Sequence, residues 1–205
     1  MTATKTLLVE GIDDQHVLWG LLKHHDFPET FEIEQKGGIE KVLSTFPVQA
    51  KGSGIEALGV MIDADVEAID RWNAIKASIK KLGYESCPDE LPVDGLVLSE
   101  SGLPKIGAWI MPDNRLSGML EDFVAMLVPM GDALWLHATV TLDDLPETLK
   151  EFSPRHLCKA RIHTWLAWKA DPGTPMGLAI NKKYLDADST TAQQFLRWLD
   201  RLFVN

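Results

Sequence analysis

Two short apolar runs end in carboxylates, and this arrangement constrains the chain more than any other feature. In the first, Leu7-Leu8-Val9 leads into Glu10, and Gly11 turns the chain. Asp13 and Asp14 then open a pattern of Val17, Leu18, Leu21 and Leu22 with helical spacing, one of the two acids serving as N-cap or first-turn acid. In the second, Val60-Met61-Ile62 delivers Asp63-Ala64-Asp65, and Ile69, Trp72, Ile75 and Ile79 follow as another helical face. Short apolar runs of this kind suit buried strands, and their alternation with amphipathic helices predicts an α/β fold with a mostly parallel central sheet flanked by helices. The carboxyl ends of such strands share the edge where open α/β sheets place their ligands.

The rest of the chain fits that scheme. Phe31-Glu32-Ile33-Glu34 alternates like a partly exposed strand, and after Gly37-Gly38 the residues Ile39, Val42, Leu43 and Phe46 form a helix face up to Pro47. The glycine pair reads as a tight turn, because no phosphate-loop pattern surrounds it. Lys76, Lys80 and Lys81 read as the solvated side of the helix that Gly83 ends. Residues 84–105 are a loop-rich insertion with an edge strand at Gly95-Leu96-Val97-Leu98. Residues 106–111 are a further strand, running into Pro112-Asp113-Asn114 and then a helix from Ser117-Gly118-Met119-Leu120-Glu121-Asp122 that stops near Pro129. A core over 1–130 is thus expected, with a helical C-terminal extension over 131–205 packed on it as one compact unit. The extension reads as helices over 132–142, 153–169 and 191–203, with a turn at Asp171-Pro172-Gly173-Thr174-Pro175. Trp165, Trp168 and Trp198 read as core, and the adjacent His24 and His25 at a helix end read as solvated surface.

Charge bears directly on function. Thirty acidic residues against twenty lysines and arginines leave a net charge of −10, a poor match to a protein that grips nucleic acid unaided. The objection weakens if the acids gather around divalent cations, which reverse the local field. No apolar run approaches the ~18 residues of a membrane span, and Met1-Thr2-Ala3-Thr4-Lys5 passes straight into the first strand, so a cytoplasmic protein is expected. Cys87 and Cys158 lack metal-type spacing.

Glu10, Asp14, Asp63, Asp65 and, after the later strand, Glu121 or Asp122 all fall at strand ends or just beyond. In a parallel sheet they converge, and carboxylates brought together repel unless a cation neutralises them; Mg²⁺, a hard ion that takes carboxylate and water oxygens, fits this set. If the segment stays extended, Asp63 and Asp65 point the same way and grip one ion. Helix capping is the competing reading, which accounts for one aspartate more readily than for both.

These residues carry a family resemblance. Leu-Leu-Val-Glu-Gly-Ile-Asp-Asp resembles the opening strand and turn of the Toprim domain through Glu10, Gly11 and Asp14, and Ile62-Asp63-Ala64-Asp65 resembles its Asp-x-Asp motif. Met111-Pro112-Asp113-Asn114 followed by Gly118-Met119-Leu120-Glu121-Asp122 is similar to a stand-alone Toprim-like group labelled DUF3226. The resemblance implies a Rossmann-like sheet whose acidic edge binds Mg²⁺ or Mn²⁺ and acts on phosphodiesters. It makes Glu10 a general acid/base or metal ligand, with Asp63 and Asp65 holding metal as part of the catalytic set. Similarity to OLD-type nucleases adds Asp14 and Glu121 as metal ligands and a basic residue near the scissile phosphate, for which Lys159, Arg161 and Lys182 are candidates.

The departures matter too. Tyr84 and Tyr184, the only tyrosines, have no topoisomerase-like context, and no P-loop occurs. The expected function is a metal-dependent phosphodiesterase, a small nuclease cutting DNA or RNA, with a partner protein or homo-oligomer supplying basic surface. The alternative is a non-catalytic nucleotide- or partner-binding regulatory module.

Overall fold

The computed structural model describes residues 4–205, so most of the N-terminal stretch read above, residues 1–3, lies outside the described residues. Strand β1 (Lys5–Val9) is followed by α1 (Ile12–His24), β2 (Glu32–Gln35), α2 (Ile39–Gln49), β3 (Ala57–Asp63) and α3 (Ala68–Lys81). Then come β4 (Leu96–Leu98), β5 (Lys105–Met111) and α4 (Leu120–Ala125). The C-terminal part contributes α5 (Ala133–Asp143), α6 (Leu157–Ala167), α7 (Met176–Asn181) and α8 (Thr190–Phe203). The five strands lie in the order β2-β1-β3-β5-β4, parallel except for β4, which pairs antiparallel with β5 at the edge. The fold is therefore α/β with a mostly parallel sheet. Among the described residues no helix is long and apolar enough to cross a membrane.

Side-chain alternation along the strands divides the core in two. Leu8, Leu58, Val60, Ile62, Ile106, Ala108 and Ile110 face α2 and α3, where Phe46, Trp72, Ile75 and Ile79 cover them. Leu7, Val9, Met61, Trp109 and Met111 face the other way, onto α1, α4 and the C-terminal helices. On that face Gly59 and Gly107 sit side by side in register on β3 and β5. A Cβ at Gly59 would stand 2.8 Å from Leu202 Cδ2, and one at Gly107 would stand 2.6 Å from the same atom. The glycines form a slot into which Leu202 of α8 settles.

Helix α8 can close the sheet because it is strongly amphipathic, with Phe195, Leu196, Trp198, Leu199, Leu202 and Phe203 all buried. Its C-terminal carbonyls are gripped by lysines at the strand starts: Lys5 Nζ donates to Phe203 O and Lys105 Nζ to Arg201 O, both at 2.9 Å. Cations placed there also complement the negative end of the helix dipole. Helix α8 thus joins α1 and α4 in the layer that buries this face of the sheet.

Several sequence boundaries shift. Helix α2 carries Pro47 inside it and runs on to Gln49. Helix α4 ends at Ala125, earlier than Pro129 suggests, and the helix expected over 153–169 begins with a tight 3₁₀ turn, Pro154–His156. The short α7 follows directly on the expected turn at 171–175, and the pattern gave no sign of it. Gly177 of α7 meets Gly20 of α1 so closely that a Cβ on Gly177 would lie 2.2 Å from His16 O. Trp165 and Trp198 are core, whereas Trp168 is 41% exposed.

Candidate functional site

The sheet order reverses between β1 and β3: from β1 the chain goes outward to β2, then back across to β3 on the other side. Loops diverge at such a switch point and leave a crevice at the carboxyl ends of the strands. Glu10 directly follows β1 and Asp63 ends β3, so the two acids stand at that switch point. They are joined directly, Asp63 N–H donating to Glu10 Oε1 at 2.8 Å.

Local structure brings in the others. Gly11 is the N-cap of α1, and its N–H donates to Asp14 Oδ2 at 2.8 Å, so Asp14 is the first-turn acid that closes the helix start while lying in the acidic edge. The loop after β3 is stitched to the loop before α4 by a two-bond bridge, Asp65 N–H to Gly118 O at 2.8 Å and Gly118 N–H to Asp65 O at 3.0 Å. That bridge positions the start of α4, where Leu120 N–H donates to Asp63 Oδ1 at 2.9 Å. Glu121 is buried at 4% exposure beside it, and Lys159 of α6 donates to Glu121 Oε1 at 2.6 Å. Asn114, also buried, fixes the turn after β5 by accepting from Ile110 N–H at 2.8 Å and donating to Val93 O at 3.1 Å.

The backbone does not stay extended through Asp63-Ala64-Asp65. Asp65 has φ of 56°, in the left-handed region that few non-glycine residues adopt. Its carboxylate pairs with Arg71 at 2.5 Å, so the expected two-aspartate grip is replaced by one aspartate on the edge and one held by an arginine. Arg71 is a residue that sequence reading passed over; its only signal was a lone cation in the first turns of the helix after Asp65.

Electrostatics show how closely the acids interact. Burial pushes the Asp63 carboxyl up to about 9, with the negative charges of Asp14, Glu10, Glu121 and Asp65 adding to it. Burial likewise pushes Asp14 up to about 7 against the hydrogen bond from Gly11, with Glu10 and Glu121 adding repulsion. Glu10 is raised by burial, an effect opposed by the Asp63 N–H and reinforced by Asp65. Four acids predicted from sequence, Glu10, Asp14, Asp63 and Glu121, therefore share one low-dielectric edge, with Asp65 adjacent.

Of the three candidate cations only Lys159 reaches this edge; Arg161 pairs with Asp143 and Lys182 with Asp171 elsewhere. The hydrogen bond to Glu121 holds the Lys159 ammonium above its ordinary value. Cys158, next to it, donates to Glu121 O at 3.5 Å, and burial together with Asp122 pushes its thiol up to about 12, which rules it out as a thiolate nucleophile near neutral pH.

The donor set suits a hard divalent cation. Each anchoring bond uses one carboxylate oxygen of Asp14, Asp63 or Glu121 and leaves the second oxygen of the group as the atom that could meet an ion. Oxygens from several carboxylates with room for water are what Mg²⁺ and Mn²⁺ take. As placed, however, no three of these acids bring ligand atoms within 4.8 Å of one another; among the described residues the group that does so is His24, His25 and Asp188. A groove of about 820 Å³ lined by Trp19, Phe27 and Phe31 lies outside β2, away from the acids.

Fold and edge together define an α/β protein with a carboxylate cluster at the switch point of a parallel sheet. The family model described as "Protein of unknown function (DUF3226)" matches residues 4–204, and the chain belongs to that family. No match was found among curated proteins or among solved structures.

Proposed function

We propose that the acidic edge binds Mg²⁺ or Mn²⁺ and that the protein is a metal-dependent phosphodiesterase, a small cytoplasmic nuclease acting on DNA or RNA. The observation that carries this reading is the gathering of Glu10, Asp14, Asp63 and Glu121 at one partly buried edge, where burial first and neighbouring negative charge second raise the proton affinity of Asp14 and Asp63. Such an arrangement is costly to keep ionised without a counter-charge, and the Toprim-like motifs supply a reason for it to persist. A bound divalent ion would supply charge neutralisation at the phosphate and a water acidic enough to attack it.

The chain's own residues have distinct parts in this proposal. Asp63, Asp14 and Glu121 hold metal, each offering its second oxygen while the first is fixed by an N–H group or by Lys159. Glu10 is either a further ligand or the proton acceptor for the attacking water. Asp65 joins the catalytic set when its Arg71 pair opens, and Arg71 is then free to face a phosphate. Lys159, 46% exposed along its side chain, is the cation best placed to meet the substrate backbone. With a net charge of −10, affinity for nucleic acid is expected to come from the ions, these two cations, and basic surface on a partner or second copy.

The test is incubation of labelled DNA and RNA with the protein in Mg²⁺ or Mn²⁺. Cleavage is expected to be lost in Glu10→Gln and Asp63→Asn; cleavage that persists unchanged in both would sink the assignment to this edge. A second reading, a non-catalytic nucleotide- or partner-binding module, is favoured by the separation of the ligand oxygens and by the structural hydrogen bonds each acid already makes. Absence of both cleavage and calorimetric Mg²⁺ binding would select it.

A further inference from the structure

His24 and His25 close α1 as adjacent histidines, an arrangement that sequence alone assigns to solvated surface. The fold changes their setting by bringing Asp188, from the turn that leads into α8, against both rings. His24 Nε2 lies 3.7 Å from Asp188 Oδ2, and His25 Nε2 lies 3.8 Å from Asp188 Oδ1. Both separations are too long for hydrogen bonds. They match something else: donors about 2.0–2.1 Å from a tetrahedral ion stand roughly 3.4 Å apart. Two imidazole nitrogens and a carboxylate lie within 4.8 Å of one another, and each nitrogen–oxygen separation is a few tenths of an ångström wider than in a coordination shell.

We propose that His24, His25 and Asp188 form a binding site for a first-row transition-metal dication of the Zn²⁺ class, separate from the acidic edge. The ligand chemistry selects the ion: imidazole nitrogen with a single carboxylate favours Zn²⁺, Ni²⁺, Co²⁺ or Cu²⁺ over Mg²⁺, which prefers oxygen throughout. The helix C-terminus adds the negative end of its dipole. The Ala187 carbonyl oxygen, 2.9 Å from His25 Nε2, is a neighbouring oxygen donor. In the metal-free protein that imidazole N–H donates to Ala187 O; on binding, the ring carries its proton on Nδ1 and presents Nε2 to the ion.

The turn that supplies Asp188 is itself fixed. Asp188 N–H donates to Asp186 Oδ1 at 3.0 Å, and Ser189 caps α8 by accepting from Ala192 N–H at 3.3 Å. The Asp188 side chain is 73% exposed, which leaves it free to close the remaining gap. Helix α1, 13 residues long, separates this site from Asp14 by about 15–20 Å, so the two sites are distinct and distinguishable by mutation. An ion here ties the end of α1 to the start of α8, joining two elements of the layer that covers the sheet.

Full-length protein stripped of metal is titrated with Zn²⁺ in competition with a chromophoric chelator, and with Co²⁺ followed by its visible absorption. With millimolar Mg²⁺ present to occupy the acidic edge, one equivalent is expected to bind. Its affinity is expected to fall by about tenfold or more in both His24→Ala and Asp188→Asn, and to be unchanged in Asp63→Asn. His24 and Asp188 are surface residues, and circular dichroism verifies that the variants stay folded. Unchanged affinity and stoichiometry in His24→Ala would overturn the proposal. So would binding lost only in Asp63→Asn, which places the ion at the acidic edge, or no binding at all, which leaves a plain histidine–aspartate contact.

Discussion

The stability of the metal-free protein should fall as pH rises from mildly acidic to mildly alkaline, and a divalent cation should restore it. Asp63 sits near 9 in the fold against 3.8 for an ordinary aspartate, and Asp14 near 7 against the same value. A carboxyl with a raised folded pKa favours the fold while protonated. Its contribution is fully present below the unfolded value and is lost as pH climbs through the folded one, here between 3.8 and about 9. Each unit within that window removes about 1.4 kcal/mol per group, so about three units, from near pH 5 to near pH 8, remove on the order of 4 kcal/mol for one proton. The two acids repel and titrate together, so their effects do not simply add. An ion present at roughly a hundred times its Kd returns about 2.7 kcal/mol, or roughly 5–11 °C in melting temperature for a chain of this length. Urea and thermal unfolding at several pH values, with chelator and with millimolar Mg²⁺, measure both effects. Asp63→Asn, which keeps an oxygen for Leu120 N–H, should flatten the pH profile and erase the Mg²⁺ shift. A metal-free stability that stays level or rises across that pH range would refute the electrostatic reasoning.

Lys159→Met should destabilise by about 1–2 kcal/mol in urea unfolding, because it strands the buried Glu121 carboxylate while the lysine's partial exposure screens the pair; adding Glu121→Gln should restore most of it. Gly177→Ala should cost about 3 kcal/mol or more, since its Cβ would meet the His16 backbone carbonyl at 2.2 Å and α1 and α7 must part; a loss under about 0.5 kcal/mol in the free energy of urea unfolding would contradict that packing. Cys158 should react with iodoacetamide far more slowly than a free thiol at neutral pH, given a thiol raised to about 12; mass spectrometry of timed samples checks it.

The strands and their terminal acids were legible in sequence because burial on both faces demands continuous apolar runs, and Glu10 and Asp63 follow such runs directly. Glu121 was legible only as one of two neighbouring acids; the structure puts it at the edge and leaves Asp122 to cap α4 through Met119 N–H. The geometry of Asp65 was not legible. Its left-handed backbone is set by the bridge to Gly118, a partner distant in the chain, and local extension was the wrong premise. Lys159 could not be told from Arg161 and Lys182 because the choice depends on how α6 packs against α4. Helix α7 escaped notice for a similar reason: it is six residues long, and its place depends on the meeting of Gly20 and Gly177. His24 and His25 gained their partner only when the start of α8 folded back to α1.

The slot made by Gly59 and Gly107 has a consequence for the order in which the chain can mature. Leu202 fills it, and Leu202 is translated after every strand it covers. While α8 is still within the ribosome, one face of the sheet carries Leu7, Met61 and Trp109 without their cover, and the strands that bear Glu10 and Asp63 lack a finished floor. That face of the sheet is covered only once α8 has been made and has docked.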